Sequence, residues 1–200
     1  MPPYSRGTIQ EVCGSGLNGC FFLFSRYVSI VAVFFPWILC GMSSSTRATK
    51  ALEQAGVKFT VHHYDYDPGA DRVGMQAAEA LGEVPARVLK TLMTKVDGKP
   101  ACVIVPSDRE VSMKKLAAAL GGKAAEMMPP MDAERLTGYK VGGISPFGQM
   151  KRVPVAVEAA ALEHALVYLN GGQRGLQVRM NPREIVPLLG AVVASVVAGE

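Results

Sequence analysis

Between Thr137 and Arg152 the chain reads TGYKVGGISPFGQMKR, a stretch that neither a helix nor a strand can run through. Gly138, Gly142, Gly143 and Gly148 permit positive φ and close backbone approach, and Pro146 removes an N–H and fixes φ. Closed by Lys151 and Arg152, such a loop can turn backbone N–H groups toward an anion or a carbonyl oxygen. On glycine content alone, an ordinary irregular connection is the commoner outcome. A Walker A phosphate loop is excluded, because G-x-x-x-x-G-K-[ST] fits nowhere in it. A second feature is Lys90, set in the apolar run Val88-Leu89-Lys90-Thr91-Leu92-Met93. A lysine there either snorkels to solvent at a sheet margin or holds a cation over a cleft floor, and the strand pattern does not choose between them.

Around these features the chain alternates short helical and strand-like units. Thr46 to Ala55 predicts a helix stopped by Gly56, and Val57 to Tyr64 alternates as a strand. His62 and His63 then face opposite sides, so a regular strand does not bring them into one metal site. Asp65 to Gly69 is a turn by composition, and Met75 to Leu81 a short helix. Val88 to Val96 and Pro100 to Pro106 flank Asp97-Gly98, a strong hairpin signal. Ser112 caps a helix running to Leu120, Lys123 to Met128 reads as a strand with Met127 and Met128 in the core, and Met131 to Leu136 as a helix. After the glycine loop come a strand (Val153 to Val157), a short helix (Ala159 to Ala165) and a hairpin (Leu166 to Asn170 with Leu176 to Met180). Asn181-Pro182 then starts a last helix. Short mixed elements without a βαβαβ rhythm indicate an α+β single domain.

Charge and cysteine usage narrow the function. The net charge of +4 is compatible with touching RNA but does not imply tight electrostatic binding by itself. Cys13, Cys20 and Cys40 precede Met42, and Cys102 sits in an apolar strand, so there is no disulfide framework and no zinc-type spacing. A reducing cytoplasm fits this usage, and no cofactor or metal is expected. Residues 1–41 differ from the rest, being strongly apolar from Phe21 to Cys40 apart from Arg26 and Pro36. A membrane anchor and a signal peptide both compete for this segment, the latter poorly, since small residues are missing at Ile38-Leu39-Cys40. The preferred expectation is translation from Met42, with residues 1–41 an apolar extension and 42–200 the functional domain; a membrane location is not expected. No G-x-S-x-G elbow is present, and Ser145, lying before Pro146 in a glycine turn, reads as structural more readily than nucleophilic.

Several separated motifs then act together: His63-Tyr64-Asp65-Tyr66-Asp67-Pro68, Leu89-Lys90-Thr91-Leu92, Thr137-Gly138-Tyr139, Gly142-Gly143-Ile144-Ser145-Pro146 and Gly171-Gly172-Gln173-Arg174-Gly175-Leu176. In order and spacing the chain resembles the YbaK/EbsC family of Cys-tRNA deacylases from about Thr46 to about Ala194. The resemblance implies a mixed, barrel-like sheet flanked by helices, with a cleft between sheet and glycine loop. It implies removal of cysteine from mischarged Cys-tRNA(Pro), and from Cys-tRNA(Cys) as a further substrate, with the substrate's own thiol as nucleophile. The implied partners are the tRNA acceptor end and prolyl-tRNA synthetase, not DNA. Lys90 stands at the family's functional lysine and would hold the terminal phosphate or ribose; Tyr64 and Thr91 would wall the pocket; Gly142 and Gly143 would approach the aminoacyl group, beside Ser145. Gln177 departs from the pattern, in a stretch where many relatives carry an aspartate, which leaves the aminoacyl preference open. Two alternatives stand beside this reading: editing of alanyl or another small aminoacyl ester, and a non-catalytic tRNA- or synthetase-binding module.

Overall fold

The computed structural model describes residues 10–11, 45–69 and 73–199. In chain order the first elements are β1 (Gln10–Glu11), α1 (Arg47–Gln54), β2 (Phe59–His63), α2 (Val73–Leu81), β3 (Leu89–Val96) and β4 (Lys99–Pro106). There follow α3 (Met113–Ala119), β5 (Ala125–Met127), α4 (Pro130–Thr137), β6 (Val155–Glu158), β7 (Val167–Asn170), β8 (Leu176–Met180), α5 (Ile185–Leu189) and β9 (Val192–Ala194). Helix α1 begins where the sequence supplies a cap. The Thr46 hydroxyl accepts the Thr49 N–H at 3.1 Å, and the Thr49 hydroxyl accepts the Thr46 N–H at 2.9 Å. Ala48, Thr49 and Leu52 are its buried face.

The strands form two sheets. One is antiparallel in the order β1-β2-β8-β7; the other is mixed, in the order β5-β3-β4-β6-β9. A parallel bridge between Val88 and Tyr168 joins the two sheets at one place, within the mixed α+β arrangement that the resemblance implies. The β3–β4 hairpin turns at Asp97 (φ 47) and Gly98 (φ 76), two successive left-handed residues that match the strands' twist. Register in the first sheet sorts its two faces. Val61 pairs with Val178, which also pairs with Leu169, and all three enter the main core with Phe147, Ile104 and Leu52. The opposite face carries His62, Gln177 and Asn170 in one row and Thr60, Arg179 and Tyr168 in the next. That polar row places Gln177 and Asn170 side by side.

Several expectations need correction. Strand β9 and the parallel pairings of β4 with β6 and β6 with β9 carry no local signal. Residues Ala159–Glu163 form a 3-10 turn, not an α-helix, since the segment has length for little more than one turn. Strand β5 is three residues long and lies at a sheet edge, so Met127 is not core but 49% exposed, while Met128 is buried. Among the described residues no helix is long and apolar enough to cross a membrane. The expectations for residues 1–41 fall outside the described residues, apart from Gln10 and Glu11.

Candidate active site

A cleft of about 450 Å³ opens between β3, the Ser107–Glu110 segment after β4, the first turn of α2, the Met127–Ala133 corner and the glycine loop. Gln177 and Asn170 close its back. Of the sequence-predicted residues, Lys90, Thr91, Gly142 and Gln177 stand on its wall. Lys90 is half-buried, and its Nζ donates to the Ser107 carbonyl at 3.2 Å. The chain thus anchors the stem of this lysine within the sheet and keeps its head beside the cleft.

Gly142 has φ +85 and forms the lip of the loop, its carbonyl accepting the Asn170 Nδ2–H at 3.2 Å. Gly143 is held by a different constraint. It does not line the cleft and has no positive φ, but a Cβ there would lie 3.0 Å from Arg174 N and 3.1 Å from the Gln173 carbonyl carbon. The second glycine therefore lets the loop rest against the backbone of the β7–β8 turn. Ser145 is fully buried and off the wall, its hydroxyl accepting the Phe147 N–H at 3.3 Å. Tyr64 also lies behind the wall, buried against Ala77, Ala78, Val88 and Tyr168. Burial pushes its phenol up, partly opposed by the neighbouring Gln177 side chain and Gly175 backbone, so it stays protonated near neutral pH.

The loop is braced on its outer side. Tyr139 Oη donates to the Phe147 carbonyl at 2.7 Å, and the Arg47 guanidinium lies 4.6 Å from the centre of the Tyr139 ring. Glu134 accepts the Val141 N–H at 3.0 Å and pairs with Lys140 at 2.8 Å, which with the Val141 bond holds its carboxyl below the ordinary range. The Gly143 N–H donates to the Lys140 carbonyl at 2.8 Å. Among the described residues no hydrogen bond takes the N–H of Gly142 or of Ile144, both on the wall.

Three buried polar atoms around the cleft have no hydrogen-bond partner among the described residues: Thr91 Oγ1, Gln177 Oε1 and Tyr64 Oη. A buried polar atom without a partner costs roughly 1–3 kcal/mol. Tyr64 Oη and the Gln177 side chain are neighbours behind and on the wall, while Thr91 Oγ1 stands on the wall itself. Asn170 is the contrast, with both ends of its amide used, on the Gly142 carbonyl and the Gly172 N–H. Sequence reasoning missed Asn170, Ser107 and the Asp108–Glu110 rim, because only the meeting of the two sheets brings them to this wall. The polar alternation of β7 and β8 was the one available signal for Asn170. Among the described residues no group of three His, Cys, Asp or Glu side chains could hold a metal ion. His63 is exposed, while His62 shares a hydrogen bond of 2.9 Å with the Thr60 hydroxyl. Cys102 is fully buried and its thiol is pushed up to about 12, so it is no nucleophile.

Comparison with known proteins gives the family and the fold. The profile of the aminoacyl-tRNA editing domain family matches residues 67–188. EbsC of Enterococcus faecalis, which bears a provisional name as a Cys-tRNA(Pro)/Cys-tRNA(Cys) deacylase, is 33% identical over 158 residues, 78% of this chain and 94% of its own length. A proline–tRNA ligase of Desulforamulus reducens is 26% identical over 167 residues, which cover 80% of this chain and 29% of the ligase. A crystal structure described provisionally as a trans-editing enzyme for prolyl tRNA synthetase superposes with a TM-score of 0.67 at 26% identity, over 78% of this chain and 98% of that one. Fold and sequence together define the class as aminoacyl-tRNA deacylase. The chain belongs to the aminoacyl-tRNA editing domain family, of the YbaK/EbsC type.

Proposed function

We propose that this protein removes cysteine from mischarged Cys-tRNA(Pro), acting in trans in the cytoplasm beside prolyl-tRNA synthetase. The observation that carries the mechanism is that the described residues of the cleft wall include no activated side-chain nucleophile. Ser107, the serine on that wall, donates its hydroxyl to the Val88 carbonyl at 2.6 Å, and Ser145 faces Phe147 instead. What the wall offers is Lys90, the Gly142 and Ile144 N–H groups and the unpartnered Thr91 and Gln177 atoms. These can orient an ester and stabilise an oxyanion, which is worth several powers of ten in rate without covalent catalysis.

The thiol of a cysteinyl ester supplies the missing nucleophile. Sulfur attacks the ester carbonyl, the C–S bond closes a small thiolactone ring, the C–O bond to the ribose breaks, and the thiol proton ends on the departing ribose oxygen. Intramolecular attack provides much of the needed proximity. Lys90 faces the ribose, and the Gly142 lip faces the carbonyl. The resemblance of the chain to part of a proline–tRNA ligase supports the choice of synthetase partner. The test compares Cys-tRNA(Pro) with the same tRNA carrying S-methylcysteine. Cleavage of the first and persistence of the second is expected, with Ser145→Ala retaining substantial activity. Equal cleavage of both esters overturns the thiol mechanism and points to an activated water and a small-aminoacyl editing hydrolase.

A further inference from the structure

Tyr66 and Arg174 form a stacked pair on the outer side of the Val141–Gly142 lip, and nothing in the mechanism above uses them. The Arg174 guanidinium carbon lies 5.3 Å from the centre of the Tyr66 ring, and Arg174 Nε donates to the Val141 carbonyl at 2.9 Å. A Cβ on Gly142 would lie 3.3 Å from Tyr66 Oη and 3.4 Å from Arg174 Nε, so the pair is separated from the cleft by one residue's backbone. Tyr66 is half-buried and Arg174 exposed, which leaves the pair open to solvent. A clamp on the Val141 carbonyl needs only a donor. A guanidinium laid on an aromatic ring is in addition a flat, cationic π surface, the kind on which unpaired nucleobases stack.

We propose that Tyr66 and Arg174 are a stacking platform for the base that precedes the terminal adenosine of the tRNA acceptor end, a cytosine. The inference rests on the reading that the terminal adenosine and its ester enter the cleft. Charge around the mouth selects the exit. Among the described residues the segment after β4 sets Asp108 and Glu110 against Arg109 and the adjoining Lys90, with no net positive charge to draw a phosphodiester that way. The opposite lip carries Arg174, with Lys140 close by on Glu134. Val141, 39% exposed, completes that lip with an apolar surface a ribose can cross. A strand leaving the cleft on this side meets the platform one nucleotide out.

The experiment uses the full chain and a fluorescent, uncharged RNA hairpin ending in CCA, with a second hairpin made abasic at the penultimate position. Binding is read by anisotropy for wild type, Tyr66→Ala, Tyr66→Leu and Tyr66→Phe. Stacking of one base on an aromatic ring corresponds to about tenfold in affinity. The abasic change is therefore expected to weaken wild type about tenfold, Tyr66→Ala and Tyr66→Leu to weaken the intact hairpin by a similar factor, and the combination to add little. Tyr66→Phe keeps the ring and binds as wild type. Equal binding of the two hairpins by wild type, fully additive penalties, or no binding of the intact hairpin overturns the platform. Deacylation of Cys-tRNA(Pro) by the same wild-type protein is read separately. If it fails while the non-additive pattern persists, the cysteine reading falls and the platform stands.

Discussion

Lys90 is the cation on the wall whose removal touches substrate more than fold. Its stem lies in β3 beside Leu89 and Leu92, and its head donates to the Ser107 carbonyl at the margin of the cleft. Lys90→Ala should lower kcat for deacylation by about a hundredfold or more, as loss of one transition-state donor does, while stability changes by about 1 kcal/mol or less. Single-turnover deacylation and a thermal melt of the same sample check both halves. Wild-type turnover would move the site elsewhere. His62 answers to pH instead. Burial, and then the Arg179 charge, hold its pKa below the ordinary value of 6.5. The unfolded chain therefore binds its proton more readily, so this part of the stability is present above the unfolded pKa and is lost as pH falls through the folded one. His62→Gln should consequently lose less Tm than wild type between about pH 7.5 and about pH 5.5. A steeper loss in the variant would contradict the assignment.

At the scale of elements, the glycine loop depends on two neighbouring glycines for different reasons. Gly142→Ala forces a side chain into positive φ at a cost of about 1 kcal/mol, and its Cβ meets the Tyr66 hydroxyl and Arg174, so activity should fall with a modest loss of Tm. Gly143→Val acts on the β7–β8 turn, because its branches would enter the Gln173–Arg174 backbone and no flexible side chain stands there to yield. It should both inactivate the protein and lower Tm more than Gly142→Ala. The reverse order in differential scanning would show that φ, not close approach, governs the second glycine. The capping box of α1 reaches the same turn, since the Thr46 hydroxyl also donates to the Gly171 carbonyl at 2.5 Å. Thr46→Ala should cost about 1–2 kcal/mol in a urea melt, at the upper end for a cap because a tertiary bond goes with it.

For the whole molecule, the described residues of the core clusters and of the cleft all lie after Met42, and the described strand before it, β1, is two residues on the edge of β2. A protein beginning at Met42 should therefore fold and deacylate at the wild-type rate. Gel filtration and the deacylation assay on the shortened chain check this, and a loss of either would assign residues 1–41 a role in the fold or site. The local elements of this fold could be read from the chain because their signals are local. Thr46 and Ser112 cap helices through their own hydroxyls, Asp97-Gly98 adopts the positive φ pair its composition favours, and strict alternation from Phe59 to His63 makes a strand with one buried face. Lys90 and Gly142 stand out from their local setting, Thr91 and Gln177 only through the family resemblance, and all four line one cleft. Only tertiary structure decided the rest. The parallel pairings of β6 and β9, the exposure of Met127, the retreat of Tyr64 and Ser145 behind the wall and the arrival of Asn170 and Ser107 on it all depend on how two sheets meet. Contacts between residues far apart in sequence leave no periodicity in either segment, so local chemistry names the elements while packing chooses which side chains face the cleft.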